Sequence, residues 1–269
     1  MSSASKALAL LSHFSVQRPE IGLSQLCRIA KRDKATTYRH LQALEEAGFI
    51  EQNPATKHYR LGPAVMHLAQ VREATVPRKE SAKSVLSVLA DATGETSHVA
   101  VLSGTTVYGL CDCESPRHAT RAVLDINTFP LHATASGLCA LAFGGDDLLE
   151  AALKRMESFT ASTLTSKSDI EASLDTVRET GFAQANRSYE DEIQGIAAPI
   201  FDHTGALAGT VAVASVASRF SAELERVIKA ELIVAARALT HNWGGTVPAH
   251  IEAAWAKSVS RLHELESTS

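Results

Sequence analysis

The chain has 269 residues, 45% of them hydrophobic and 21% charged, which allows one large domain or two of ordinary size and excludes a single small module or a wholly disordered chain. No run approaches the ~18 to 20 uncharged apolar residues needed to span a bilayer, and the opening MSSASKALALLSHFS lacks a basic region followed by a long apolar block, so a cytoplasmic location without a membrane partner is expected. Net charge is -4, yet residues 1–76 carry +4 and the remainder -8, the distribution of a nucleic-acid-binding head on a body of another kind.

In chain order, Ser3 or Ser5 is placed to cap a first helix with Leu8, Leu11 and Phe14 on one face, stopped by Arg18-Pro19. Leu23, Leu26 and Ile29 or Ala30 recur at helical spacing in a second helix, with Ser24 as its cap. After Lys31-Arg32, Asp33 is set to accept from the free N–H groups of a third helix that buries Tyr38, Leu41 and Leu44 and ends at Gly48. Phe49-Ile50-Glu51-Gln52 and Lys57-His58-Tyr59-Arg60-Leu61 read as strands around the turn Asn53-Pro54-Ala55-Thr56. Helix, helix, tight turn, helix, hairpin is the order of a winged helix-turn-helix. A helix from Pro63 to Thr75 follows, striped by Val65, Leu68, Ala69 and Val71 or Arg72; it is too isolated to be stable alone, and its own copy in a second subunit supplies a partner surface.

The body opens with a helix from Ser81 to Thr93, then strands Thr96 to Ser103 and Thr106 to Cys113 around Gly104. Helices follow near Ala135 to Phe143, Asp146 to Met156, and Ser168 to Thr180, the last capped by Ser168 or Asp169. Strands Ile193 to Phe201 and Leu207 to Ala214 flank the turn Asp202-His203-Thr204-Gly205, and Ser221 opens a helix running toward Trp243. Beyond Gly244-Gly245, Ile251, Trp255, Val259, Leu262 and Leu265 make one apolar face on a tail helix that must dock somewhere. The fold class is α+β, divided into a winged helix-turn-helix (1–62), a linker helix for dimerisation (63–79), an antiparallel sheet flanked by helices (80–245) and a C-terminal amphipathic helix (246–269).

Three stretches together resemble the IclR family of bacterial transcriptional regulators. They are Ala35 to Ile50 (ATTYRHLQALEEAGFI) with Tyr59-Arg60-Leu61-Gly62, then Phe129 to Gly137 (FPLHATASG), then Gly195 to Gly205 (GIAAPIFDHTG). The resemblance implies an N-terminal DNA-binding domain, a dimerising linker helix and a C-terminal GAF-like effector domain, assembled as a homodimer or a dimer of dimers. The tail helix is an addition to that pattern. No cofactor is expected.

The third helix would enter the major groove of a double-stranded operator, its first turns offering Lys34, Thr36, Thr37, Arg39 and His40. Arg39 suits a guanine edge or a phosphate and Lys34 a phosphate, while Tyr38 falls on the apolar stripe and Lys57, His58 and Arg60 arm the wing. In the body, free N–H groups at Ala135 and Ser136 make an anion site at a helix N-terminus, aided by the hydroxyls of Thr134 and Ser136. The resemblance places the effector there, against the strands around Gly195 and Ala212. Family members that bind small keto acids carry acidic, Cys or Ser side chains where this chain has Ala185, Gly195, Ala212 and Ala214. These small residues point to a larger, flatter or more apolar carboxylate, aromatic acids included.

Catalysis is disfavoured, because Thr134-Ala135-Ser136-Gly137-Leu138 lacks the glycines of a nucleophile elbow. The four cysteines, Cys27, Cys111, Cys113 and Cys139, form no CxxC pair, which argues against a disulfide framework or a ribbon-type zinc site. A metal-responsive regulator is the alternative reading, with Cys111, Cys113, His118 and His132 converging on one ion. A purely architectural DNA-binding protein would not need so large a body.

Overall fold

The computed structural model describes residues 2–15, 18–123 and 127–266, with side chains through residue 260. The chain divides into two compact units, Met1–Pro77 and Arg78–Ser269.

The head has the expected order, with differences at the caps. Helix α1 is Ser3–Leu8, and Ser2 caps it by accepting from the Ser5 amide. It ends earlier than its apolar spacing suggested, and Leu11 sits in a short 3-10 turn. Helix α2 is Leu23–Ile29 and begins at Gly22 with no side-chain cap, so Ser24 does not serve as one. Helix α3, Lys34–Glu46, starts as the sequence indicates: the Asp33 carboxylate accepts from the Thr36 amide at 2.8 Å. Strands β1 (Ile50–Gln52) and β2 (Tyr59–Leu61) form the wing, and the Asn53 side chain closes its turn by accepting from the Ala55 and Thr56 amides. Leu10, Ile21, Leu26, Leu41, Leu44, Ile50 and Tyr59 make the head's core. Helix α4, Pro63–Thr75, has no buried residue.

The body is one six-stranded antiparallel sheet, order β5-β4-β3-β8-β7-β6, with helices on both faces. Its strands are β3 (Thr96–Ser103), β4 (Thr106–Cys113), β5 (Thr128–Phe129), β6 (Ala183–Asn186), β7 (Ile193–Phe201) and β8 (Leu207–Val216). The two hairpins read from the sequence meet where β3 pairs with β8, Val99 opposite Val211. Helices α5 (Arg78–Thr93), α9 (Ala222–Asn242) and α10 (Ala249–Glu266) belong to one face. Helices α6 (Ala135–Phe143), α7 (Asp147–Leu153) and α8 (Lys167–Thr180) belong to the other. Ser221 caps α9 as expected, whereas Ser166, ahead of both candidates, caps α8.

Strand alternation gives the two faces different chemistry. Toward α5 and α9 the sheet presents Val99, Ile196, Ile200, Val211 and Val213; toward α6 it presents Ala100, Ala183, Ala185, Ala197 and Ala212. The alanine face lets α6 settle close: a Cβ added at Gly195 would stand 3.2 Å from that of Ala135. A Cβ at Gly137 would fall 2.3 Å from the Pro130 carbonyl oxygen, so glycine alone fits that close approach. Residues Ala135 through Ala142 are all buried, as a helix apolar all round must be.

The tail helix docks on the end of α8. Ile251 and Trp255 are fully buried; the Trp255 indole N–H donates to the Gly181 carbonyl at 2.9 Å and the Ser258 hydroxyl to that of Thr180 at 2.8 Å. These acceptors lie at the carboxyl end of α8, where helical carbonyls lack partners. Gly181 takes the left-handed C-cap conformation, φ 77°, and a Cβ there would meet the Trp255 ring at 2.5 Å. Leu262 and Leu265 fall outside the residues whose side chains are described. Trp255→Ala should cost about 3–5 kcal/mol in the unfolding free energy of the body, because it opens a cavity and strands the Gly181 carbonyl. Urea denaturation measures this, and a loss below about 1 kcal/mol would show that the tail is a passive appendage.

Candidate functional site

On α3 the exposed side carries Lys34, Ala35, Tyr38, Arg39 and Gln42, with Thr36 half-buried. Tyr38 is 44% exposed rather than part of the core, while Thr37 and His40 point inward. The burial repeat is therefore 37, 40, 41, 44. The Thr37 hydroxyl donates to the Asp33 carbonyl at 2.8 Å, and His40 Nε2 lies 3.2 Å from the Ser3 hydroxyl, tying α3 to α1. Burial, then the charge of Arg32, lowers the His40 pKa. Neither Thr37 nor His40 is presented on the exposed side.

On the wing, Arg60 is held by Glu51 at 2.6 Å and lies 3.8 Å from Glu20, so part of its charge is already answered. Among the described residues, Lys34, Arg39 and Lys57 have no acidic partner within ion-pair distance. Lys34, Tyr38, Lys57 and His58 line one cleft with Arg28 of α2. Tyr38, expected in the core, thus stands in the cleft, and Arg28, not singled out in the sequence, joins it as a basic residue late in the helix preceding α3.

In the body, a cavity of about 70 Å³ opens at the N-terminus of α6. Thr134, Ala135, Ser136, Ala185, Gly195 and Ala214 all line it, as the sequence analysis grouped them. Ala212 does not: it is fully buried between sheet and helix, where α6 itself fills the space its small side chain leaves. Thr134 is committed to capping, accepting from the Gly137 amide at 3.0 Å and donating to the Pro130 carbonyl at 2.9 Å. Among the described residues, nothing accepts from the amides of Ala135 and Ser136.

His98 of β3 completes this wall and was not singled out in the sequence, where it sits inside a strand of otherwise small and apolar residues. Its ring stacks on Phe129, centroids 4.8 Å apart and planes within 8°, and its Nε2 lies 3.1 Å from the Ser136 hydroxyl. Strand parity was the available signal, since His98 is two residues before Ala100 on the α6 face. Burial depresses its pKa to about 4, so the ring is neutral at physiological pH. Tyr189 and Glu190 stand at the rim, and Glu190 is the one ionisable carboxylate or cation among the described lining residues.

Cys111, Cys113, His118 and His132 do not form the metal site weighed above. The Cys111 thiol is buried on the α5 side against the Lys79 carbonyl, Cys113 reaches the Glu114 carbonyl, His118 lies 4.0 Å from Glu95, and His132 Nε2 is 2.8 Å from the Glu157 carbonyl. Among the described residues no three His, Cys, Asp or Glu side chains are placed to share an ion. No described helix is long and apolar enough to cross a membrane.

Comparison with known proteins matches residues 3–54 to the IclR helix-turn-helix domain and residues 74–241 to the bacterial transcriptional regulator IclR C-terminal domain. A crystal structure assigned to the IclR transcriptional regulators, from Silicibacter sp. TM1040, is 39% identical, with a TM-score of 0.87 over 93% of this chain and 99% of that one. The HTH-type transcriptional regulator XynR of Escherichia coli K12 is 27% identical over 81% of this chain and 87% of its own. An IclR homologue from Microbacterium hydrocarbonoxydans, solved with 4-hydroxybenzoate, shares the fold at 20% identity and a TM-score of 0.68, covering 89% of this chain and all of that one.

The depressed pKa of His98 links stability to pH. The unfolded imidazole takes up a proton near pH 6.5 and the folded one near 4, so its contribution is complete above pH 6.5 and is lost as pH falls through that window. The expected loss is about 2–3 kcal/mol between pH 7 and 4.5. Urea melts of wild type and His98→Asn over this range measure it: the wild type should lose that much more stability than the variant, and parallel curves would contradict the assignment.

Proposed function

The chain belongs to the IclR family of bacterial transcriptional regulators, and we propose that it binds operator DNA as a homodimer under the control of a small monocarboxylate held at the N-terminus of α6. The observation that carries the effector reading is the pair of unanswered amides at Ala135 and Ser136, at the positive end of a buried helix and inside a cavity. No cationic side chain among the described residues lines that cavity, and Glu190 adds negative charge at its rim. A single carboxylate is therefore favoured over a dicarboxylate. The apolar walls, Phe129, Ala185, Gly195 and Ala214, suit a flat body larger than glyoxylate or pyruvate. The 4-hydroxybenzoate held by the Microbacterium homologue is of this class.

For DNA, the exposed side of α3 selects Lys34, Thr36, Tyr38 and Arg39 as the groove-facing set, with Arg28 and Lys57 for phosphates and Arg60 in a lesser role. Thr37 and His40 instead hold the recognition helix in place. Helix α4 supplies the dimer contact: Met66, Leu68 and Val71 are 63%, 50% and 46% exposed, and a 13-residue helix with none of its side chains buried needs a second copy to be stable. Two recognition helices then read paired half-sites.

Arg39→Ala should lower operator affinity by ~1–3 kcal/mol and relax specificity at one position, by fluorescence anisotropy on operator and scrambled DNA. Equal affinity of wild type and variant for both would remove Arg39 from the interface. For the effector, thermal-shift screening of glyoxylate, pyruvate, benzoate, 4-hydroxybenzoate and terephthalate should favour the ring monocarboxylates. Ala214→Leu, which fills the cavity, should abolish their shift without changing the DNA affinity of the unliganded protein. Tight binding of pyruvate with none of benzoate would reject the proposed effector class.

A further inference from the structure

The polarity of the cavity's inner end is decided by one neutral imidazole. His98 is buried, and its Nδ1 has no hydrogen-bond partner. Its Nε2 lies 3.1 Å from the Ser136 hydroxyl, the one described bond of that hydroxyl. A neutral ring carries one proton, and two arrangements are open. With the proton on Nδ1, a donor is buried without an acceptor while Nε2 accepts a hydrogen bond from the serine hydroxyl. With the proton on Nε2, His98 donates to Ser136, Nδ1 is left as a bare acceptor, and the serine's own proton is turned into the cavity.

Orphaned buried N–H groups are the rarer defect in folded proteins, which favours the second arrangement. An anion at the α6 terminus favours it further, because the anion accepts the proton that Ser136 then offers. We infer that His98 is a positioning residue that holds Ser136 as a hydrogen-bond donor toward the effector, so that the Ala135 and Ser136 amides and the Ser136 hydroxyl together offer three donors to a carboxylate and favour it over an ammonium group. This rests on the monocarboxylate reading and adds the orientation of the ligand: carboxylate inward, remaining polar groups toward Tyr189 and Glu190 at the rim.

The test is the protonation pattern of the His98 ring in the full-length wild type, read by long-range nitrogen–proton NMR at pH 7 with and without benzoate. The expected signature is the Nε2–H tautomer in both samples, and the Nδ1–H tautomer in either overturns the inference. Calorimetry with benzoate adds a second reading. His98→Gln, whose amide can still donate to Ser136, should bind within about threefold of wild type, whereas His98→Leu and Ser136→Ala should each lose about tenfold. Unchanged affinity in folded His98→Leu overturns the positioning role while leaving the carboxylate site standing. If neither benzoate nor any other acid of the panel binds wild type, the monocarboxylate reading fails and the positioning role toward an effector fails with it, while the tautomer measured without ligand still decides whether His98 donates to Ser136.

Discussion

The structure of the body depends on sinking α6 into the face of a sheet. A helix that is buried on all sides needs a bed without protruding side chains, and Ala183, Ala185, Ala197, Ala212 and Gly195 provide it. The same arrangement removes the helix's first amides from solvent, and N–H groups buried without acceptors are costly. Thr134 answers one of them and the amides of Ala135 and Ser136 are left open. The packing that stabilises the body thus leaves open the two amides on which the proposed anion site rests.

In the head, the orientation of α3 follows from its inward polar contacts as much as from Leu41 and Leu44. Thr37 returns its hydroxyl to Asp33, the residue that caps the helix, and His40 reaches Ser3 on α1. These bonds set the rotation of the helix about its axis and so decide which side chains face outward. Turning the helix by one position, about 100°, would exchange Tyr38 for Thr37 on the exposed side, so the two buried polar residues decide which side chains that side offers.

Much of this was legible in the sequence where local chemistry is decisive. Asp33 and Ser221 cap helices because a short acceptor before an amphipathic run has few other uses, and the two long hairpins declared themselves through β-rich runs about Gly104 and Gly205. The rotation of α3 was not legible, because threonine and histidine are polar by type and only tertiary contacts show them satisfied inside. Strands β5 and β6, two and four residues long, exist through pairing with neighbours and leave little periodic trace. Of the cavity residues, those beside the α6 terminus could be grouped from motif and spacing. Ala212 could not be separated from Ala214, since a small residue marks space equally well whether a ligand or a helix fills it. His98 was hidden by its setting in an apolar strand.

The docking of α10 on α8 has a consequence for the order in which the protein is made. Contacts of the head join residues within the first 77 positions, so this unit has all its parts soon after it leaves the ribosome. The body has to wait: β3 pairs with β8 across more than a hundred residues, and the cap of α8 is completed by Trp255 and Ser258. Domains fold in turn as synthesis proceeds from the N-terminus. During translation there is accordingly an interval in which a head with all its parts is tethered to a body that still lacks a partner for β3, and the cap of α8 stays open until residues lying 74 and 78 positions further on have been added.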